Sequence, residues 1–137
     1  MKKTFRIGGV HPDDNKISRN CEIEVLPLPQ TVYISMAQHL GAPAKPIVAV
    51  GDKVKAGQPI AEPGGFISAW VHSSVSGTVK SIAPRKDISG NYMTHIEIAV
   101  EGDEWAEGID LSDTLVTDIP SDRAAVLAKI QACGVVG

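Results

Sequence analysis

Between Thr94 and Val100 apolar and polar side chains alternate, with Ile96, Ile98 and Val100 on one side and His95, Glu97 and Ala99 on the other. That is the period of a strand with one face buried. Shorter apolar runs broken by Gly, Pro, Asp and Ser precede it. Val32-Tyr33-Ile34, Ile47-Val48-Ala49-Val50, Pro59-Ile60-Ala61 and Gly77-Thr78-Val79-Lys80-Ser81-Ile82 predict further strands. Helical spacing is absent until the end, where Val126, Leu127 and Ile130 recur before Gly134. Ser121 can accept a backbone N–H bond as the N-cap of that helix, and Asp122 suits its positive first turn. Residues 1–24 include Gly8-Gly9, His11-Pro12 and Asp13-Asp14-Asn15-Lys16 with no sustained period, and predict an irregular arm. The expected organisation is an arm over 1–24, a β domain over 25–100, an acidic connector over 101–120 that lies on the domain surface, and a helix within 121–137.

A short repeat sharpens the β prediction. Val50-Gly51-Asp52-Lys53-Val54-Lys55 and Val75-Ser76-Gly77-Thr78-Val79-Lys80 match at both valines and at the lysine. Each unit is expected to make a tight turn, at Gly51-Asp52 or Ser76-Gly77, and then to send a valine into a shared core from a new strand. Two such units related by a pseudo-two-fold axis build a flattened β-sandwich.

Composition narrows the function classes. The 137 residues are 43% hydrophobic and 21% charged, and 13 Lys plus Arg against 16 Asp plus Glu leave a net charge of −3. A chain of this size can bury a core without staples, and it has no basic field to attract nucleic acid or an anionic membrane. No apolar stretch is long enough to span a bilayer, and Lys2-Lys3 is not followed by the apolar run of a signal peptide, so a cytoplasmic chain without direct membrane insertion is expected. Cys21 and Cys133 are the two cysteines, too few and too far apart for a disulfide framework or a thiolate cluster. Cys133 is expected as a small core residue.

The chemistry-bearing residues form no recognisable constellation. His11, His39, His72 and His95 show no metal-ligand spacing on one helix and read as hydrogen-bonding residues. Gly8-Gly9 and Gly64-Gly65 resemble anion cradles only superficially: neither pair opens a helix or leads into a P-loop lysine, so close backbone approach is the expected role. His72-Ser73-Ser74 could suggest a base and a nucleophile, but neighbours in a strand face opposite ways, and the serines are expected to satisfy a turn before Val75. Lys45, within Pro43-Ala44-Lys45-Pro46, reads as a solvated lysine on a rigid connector. Phe66 and Trp70 are equally consistent with an interface anchor and with core. No residue is expected to be catalytic, cofactor-binding or metal-ligating.

Val48-Ala49-Val50-Gly51-Asp52-Lys53-Val54-Lys55-Ala56-Gly57-Gln58-Pro59-Ile60-Ala61, followed by Val75-Ser76-Gly77-Thr78-Val79, resembles the two halves of biotinyl and lipoyl carrier domains. The resemblance implies a mainly β barrel-sandwich hybrid. In those carriers the intervening hairpin presents a lysine for the cofactor, whereas Glu62 to His72 contains none. The fold carries over and the carrier function is disfavoured.

A wider resemblance uses Phe5-Arg6-Ile7-Gly8-Gly9-Val10-His11-Pro12, Asn15-Lys16, Val25-Leu26-Pro27-Leu28-Pro29, Gln38-His39-Leu40-Gly41-Ala42-Pro43-Ala44-Lys45-Pro46, Gly64-Gly65-Phe66 and His72-Ser73-Ser74-Val75-Ser76-Gly77. In that order these are similar to the N-terminal region of RnfC, the C subunit of the Rnf electron transport complex. Such a complex couples electron transfer between NADH and ferredoxin to ion pumping, and its RnfC component is peripheral, on the cytoplasmic side of the bacterial inner membrane. The resemblance extends to the A subunit of the sodium-pumping NADH dehydrogenase, which implies as an alternative that side chains such as His39 or His72 contribute to a flavin, NADH or quinone pocket. It implies that this chain is itself non-catalytic, the N-terminal piece of a longer oxidoreductase subunit. No cofactor is expected within 1–137, with FMN and 4Fe-4S clusters carried by later polypeptide. The expected partners are other Rnf subunits, together with the flavin/NADH domain of the same polypeptide, contacted through the hairpin Glu62 to His72 and the arm Gly8 to Lys16.

Overall fold

A computed structural model describes Gly9, residues 13–118 and residues 121–136. Seven strands precede one helix: β1 (Thr31–Ser35), β2 (Lys45–Pro46), β3 (Lys53–Val54), β4 (Pro59–Glu62), β5 (Val71–His72), β6 (Ser76–Lys86), β7 (Tyr92–Gly102) and α1 (Arg123–Ala132). They form a four-stranded sheet in the order β1-β7-β6-β3 and a three-stranded sheet in the order β2-β4-β5. All pairings in both sheets are antiparallel.

The alternation in β7 does what its period predicts. Ile96 and Ile98 are fully buried, while His95, Glu97 and Ala99 are half-exposed on the other face. On that outer face Glu97 accepts hydrogen bonds from Ser81 Oγ at 2.6 Å and from the Tyr33 hydroxyl at 3.3 Å, and the Arg85 guanidinium lies 3.6 Å from the centre of the Tyr33 ring. The inner face joins Ile34, Met36, Val54, Ile60, Val71, Val75 and Val79 in one cluster drawn from both sheets.

The two valine-bearing units meet as strand partners. Lys53 pairs with Thr78 and Val54 with Gly77, and Val54 and Val79 are both buried. Gly51, at φ +98°, makes the first unit's turn, closed by Asp52 N–H donating to Ala49 O at 3.1 Å and by Asp52 Oδ2 accepting from Ala49 N–H at 2.8 Å.

Several expectations are corrected. Ile47 to Val50 is not a strand: pairing stops after Ile47 N–H bonds to Ile60 O, because the Asp52 carboxylate takes the Ala49 amide into the turn. Ile47 and Val50 are accordingly exposed. Ser76-Gly77 is not a turn but the irregular start of β6, where a Cβ on Gly77 would overlap the Ala99 carbonyl oxygen on β7. Glycine there permits close approach of two strands and reverses nothing. The helix is capped by Asp122 in place of Ser121, since Asp122 Oδ2 accepts from Ala125 N–H at 2.8 Å, three residues on. Cys133 is exposed and not a core residue, because it caps a helix, α1, that buries none of its side chains.

The sheet also runs past residue 100. β7 continues to Gly102, and the following segment lies along Ala56, which donates to Glu104 O at 2.9 Å and accepts from Ala106 N–H at 2.8 Å. Trp105 thereby covers the turn at Gly57.

Candidate functional site

The hairpin that would carry a prosthetic group in a carrier domain is here folded onto a second loop. Residues 63–70 join β4 to β5, and residues 36–44 join β1 to β2. Ser68 and His39 tie them together by side chain–backbone bonds. Ser68 Oγ donates to Ala42 O at 2.9 Å and accepts from Gly64 N–H at 2.9 Å, and His39 Nε2 accepts from Ala69 N–H at 3.2 Å. One backbone bond, from Ala42 N–H to Ile67 O at 3.0 Å, completes the seam. Such close contact needs glycine on both sides: a Cβ on Gly64 would overlap the Pro43 carbonyl oxygen, and one on Gly41 the Ile67 carbonyl oxygen. Ser68 and Ala69 are buried in consequence.

Helix α1 approaches the same loop from the other side. Gln131 Nε2 donates to Ser68 O at 3.3 Å, and Trp70 N–H reaches Gln131 O at 3.5 Å. A groove of about 530 Å³ opens between helix and loop, with Phe66, Leu127, Ile130 and Val135 along its walls. Phe66 is wholly exposed and Leu127 half-exposed. The two aromatics that could serve as core or anchor therefore separate: Phe66 projects from the tip, and Trp70 is half-buried at the end of α1.

A second, polar cleft of about 450 Å³ lies where β3, β6 and the end of β7 meet. Both of its lysines are already paired. Lys53 Nζ sits 3.3 Å from Glu101, Lys55 Nζ 2.7 Å from Glu104, and Thr78 Oγ1 donates to Glu101 at 2.6 Å. The Thr78 hydrogen bond, then Lys53, holds the Glu101 carboxyl below the usual carboxylate range, and the bond to Glu104 raises the Lys55 ammonium. These pairs fasten β3 to the end of β7 and to the segment that follows it.

The histidines are scattered. His39 serves the tip, His72 lies half-buried on β5, and His95 on β7 bonds through Nδ1 to Met93 O at 2.8 Å. Gly8, Val10, His11 and Pro12 of the arm Gly8 to Lys16 lie outside the described residues. Ser73 is buried, with its hydroxyl 2.7 Å from Val75 O as a donor, and Ser74 is exposed. Lys45 is exposed on β2, opposite Glu62. Among the described residues no group of three or more His, Cys, Asp or Glu side chains is placed to hold a metal ion, and no helix is long and apolar enough to cross a membrane. Sequence reading missed Ser68 and Gln131 altogether, and neither belongs to a motif that singles it out.

Two short sheets sharing one core, valine-bearing half-units paired across β3 and β6, and a hairpin between the halves define a barrel-sandwich hybrid domain whose tip has no lysine. Residues 3–104 match the family model of the RnfC barrel sandwich hybrid domain, and the chain belongs to that family. Over 114 residues, 82% of the chain, it is 46% identical to the C subunit of the proton-translocating ferredoxin:NAD(+) oxidoreductase complex of Clostridium ljungdahlii. It is 36% identical, over 98% of the chain, to the C subunit of the Na(+)-translocating ferredoxin:NAD(+) oxidoreductase complex of Acetobacterium woodii. With the C subunit of the ion-translocating oxidoreductase complex of Rhodobacter capsulatus the identity is 34% over 95% of the chain. The chain spans 25%, 30% and 25% of these three relatives.

Proposed function

We propose that this domain is a non-catalytic docking module within the RnfC component of an ion-translocating ferredoxin:NAD(+) oxidoreductase complex. In this reading it lies on the cytoplasmic side of the membrane and seats the flavin- and NADH-handling domain of its own polypeptide, while FMN and 4Fe-4S clusters are held by other parts of that polypeptide. The observation that carries the reading is the open apolar groove at the tip, with Phe66 fully exposed beside Leu127, Ile130 and Val135. Polypeptide for that surface is present in the relatives, of which the matched region is only about a quarter. The tip lacks the amine of a carrier domain, and the ring nitrogens of His39 are both occupied by the protein's own backbone, which leaves that side chain nothing to offer a flavin or quinone.

Covering an exposed phenylalanine contributes about 1.5–3 kcal/mol, so its loss weakens docking roughly 10- to 150-fold. The test uses whole RnfC in its complex, with Phe66→Asp and Leu127→Asp combined. Both side chains are exposed, so the melting temperature of this domain should hold while limited proteolysis between it and the remainder of RnfC accelerates. Unchanged protease resistance and unchanged complex recovery would refute the docking role. A stoichiometric flavin that stays with the 137-residue chain through gel filtration would refute the non-catalytic assignment.

A further inference from the structure

We propose that the far end of the β6–β7 hairpin is a membrane-contact finger, which sets Ile88 into the headgroup layer of an anionic bilayer and brings Arg85 and Lys86 against lipid phosphates. Two strands make this finger without a third. β1 leaves β7 after Ser35↔His95 and the Met36 N–H bond to Thr94 O, and β3 pairs at the opposite end of β6, with Gly77 and Thr78. Arg85↔Met93 and Lys86↔Tyr92 therefore stand beyond the rest of the sheet. The turn above them is tightly built. Asp87 Oδ1 accepts from the Ser89 and Asn91 N–H groups, both at 2.9 Å, and Asp87 N–H donates to Asn91 O at 2.8 Å. Gly90, at φ +82°, closes the corner with its N–H on Asp87 O at 3.1 Å. Ile88 takes part in none of these bonds, yet the turn holds it wholly exposed at the apex. The Asp87 carboxylate is directed at two amides of its own turn.

The distribution of the neighbours selects a bilayer over a shaped protein pocket. Successive strand residues face opposite sides, so Arg85 with Met93 lies on one face of the finger and Lys86 with Tyr92 on the other. Each face has one exposed cation, and among the described residues neither cation is in an ion pair. Arg85 lays the plane of its guanidinium over Tyr33, 3.6 Å from the ring centre, which leaves its N–H edge for phosphate oxygens. Glu97, on that same outer face, is bonded to Ser81 and to the Tyr33 hydroxyl. Lys86 Nζ stands 5.9 Å from the centre of the Tyr92 ring, which is exposed. The finger is thus amphipathic along its axis and alike on its two faces, an apolar apex above a collar of cations and an aromatic ring. A laterally uniform anionic surface matches that order.

The whole-chain charge of −3 conceals a polarity that turns this end toward anions. No Lys or Arg lies between Lys86 and Arg123 in the sequence. Glu101, Asp103 and Glu104 gather where β6 begins, beside Ser76, about 30 Å of strand away from Lys86. With a screening length of about 8 Å in physiological salt, those carboxylates do not reach the finger. This surface is not the tip groove, and contact through it does not require docking there.

The experiment is nuclear magnetic resonance on the isotopically labelled 137-residue chain, mixed with vesicles of phosphatidylethanolamine and phosphatidylglycerol that carry a headgroup spin label. Expected is line broadening centred on the amides of Ile88, Ser89 and Gly90. Sedimentation with the same vesicles gives the partition coefficient. It should fall about 25-fold when Arg85→Gln and Lys86→Gln are combined, about fivefold for each cation, and by a similar factor on phosphatidylcholine alone. Ile88→Asp should lower it at least about tenfold with the melting temperature unchanged, since the side chain packs on nothing in the domain. Broadening centred elsewhere, equal partition onto phosphatidylcholine, or an Ile88→Asp chain that partitions like the parent overturns the finger. In whole RnfC within its complex, a photocrosslinking side chain at position 88 should join to lipid. A crosslink to a protein chain alone would overturn the proposal, by showing that the apex plugs a protein pocket.

Discussion

Replacing Gly64 by alanine adds one methyl group at the tightest point of the tip. The new Cβ would overlap the backbone oxygen of Pro43 and come within 3.1 Å of its carbonyl carbon. Both are backbone atoms of the facing loop, so no side chain can swing aside and the loops must part. Parting them strains the Gly64 N–H to Ser68 Oγ bond and the Ser68 Oγ to Ala42 O bond. Overpacking of this kind costs about 1–3 kcal/mol, which for a domain of this size lowers the melting temperature by about 4 °C per kcal/mol. A loss of about 8 °C is expected in a calorimetric scan of Gly64→Ala, with faster amide exchange at Ala42 and Ala69. Gly90 supplies the comparison: it sits at φ +82° with nothing within 4 Å of where a Cβ would stand, so alanine there meets only the dihedral penalty of about 1 kcal/mol. If Gly64→Ala melts within about 2 °C of the parent (about 0.5 kcal/mol), the seam is looser than its geometry states and close approach is not what this glycine is for. A phosphate-cradle role would instead leave stability intact and alter affinity for inorganic phosphate.

Two other outcomes follow from burial and charge. Ile60→Ala empties a site with no exposed surface in the shared core and should cost about 2–5 kcal/mol in denaturant unfolding, whereas Ile88→Ala, at the solvent-exposed end of the β6–β7 hairpin, should stay within about 0.5 kcal/mol. Glu101 has a carboxyl held below its ordinary value, first by Thr78 and then by Lys53, so its contribution to stability is complete above that value and fades as pH falls through the lowered one. Glu101→Gln should accordingly flatten the acid limb of the melting-temperature profile below about pH 4.5, and an unchanged acid limb would show that these exposed contacts contribute nothing.

The sheets were legible in the sequence wherever one residue could serve only one purpose. Ile96 and Ile98 alternate with polar neighbours across a whole strand, and a period of two has one structural meaning. Val54 and Val79 stand at matching places in the two half-units, and both reach the core. Legibility failed where a residue type has two uses. Gly51 turns the chain and Gly77 admits a neighbouring strand, yet in the sequence both lie between the two valines of a half-unit. Ile47 to Val50 has strand composition, and only the Asp52 carboxylate, reaching back three residues, decides otherwise. Val126, Leu127 and Ile130 have the spacing of a stripe seeking a core, but the helix buries none of them and leaves Leu127 and Ile130 at the groove. The tip was hidden for a different reason: its bonds join Ser68 and Ala69 to residues 26 and 30 positions earlier, through side chain–backbone contacts that follow no sequence period.

The register of β1 bears on how the chain is made. β1 is complete at Ser35, but its hydrogen-bonding partner in β7 begins only at His95. At ribosomal speeds of about 5–20 residues per second, the intervening stretch takes roughly 3–12 s to emerge. Throughout that wait Ile34 and Met36 have no closing strand. The growing polypeptide must keep these residues from mispairing until a late strand arrives to stitch the first one in, which makes β7 the step at which the nascent domain commits to its fold.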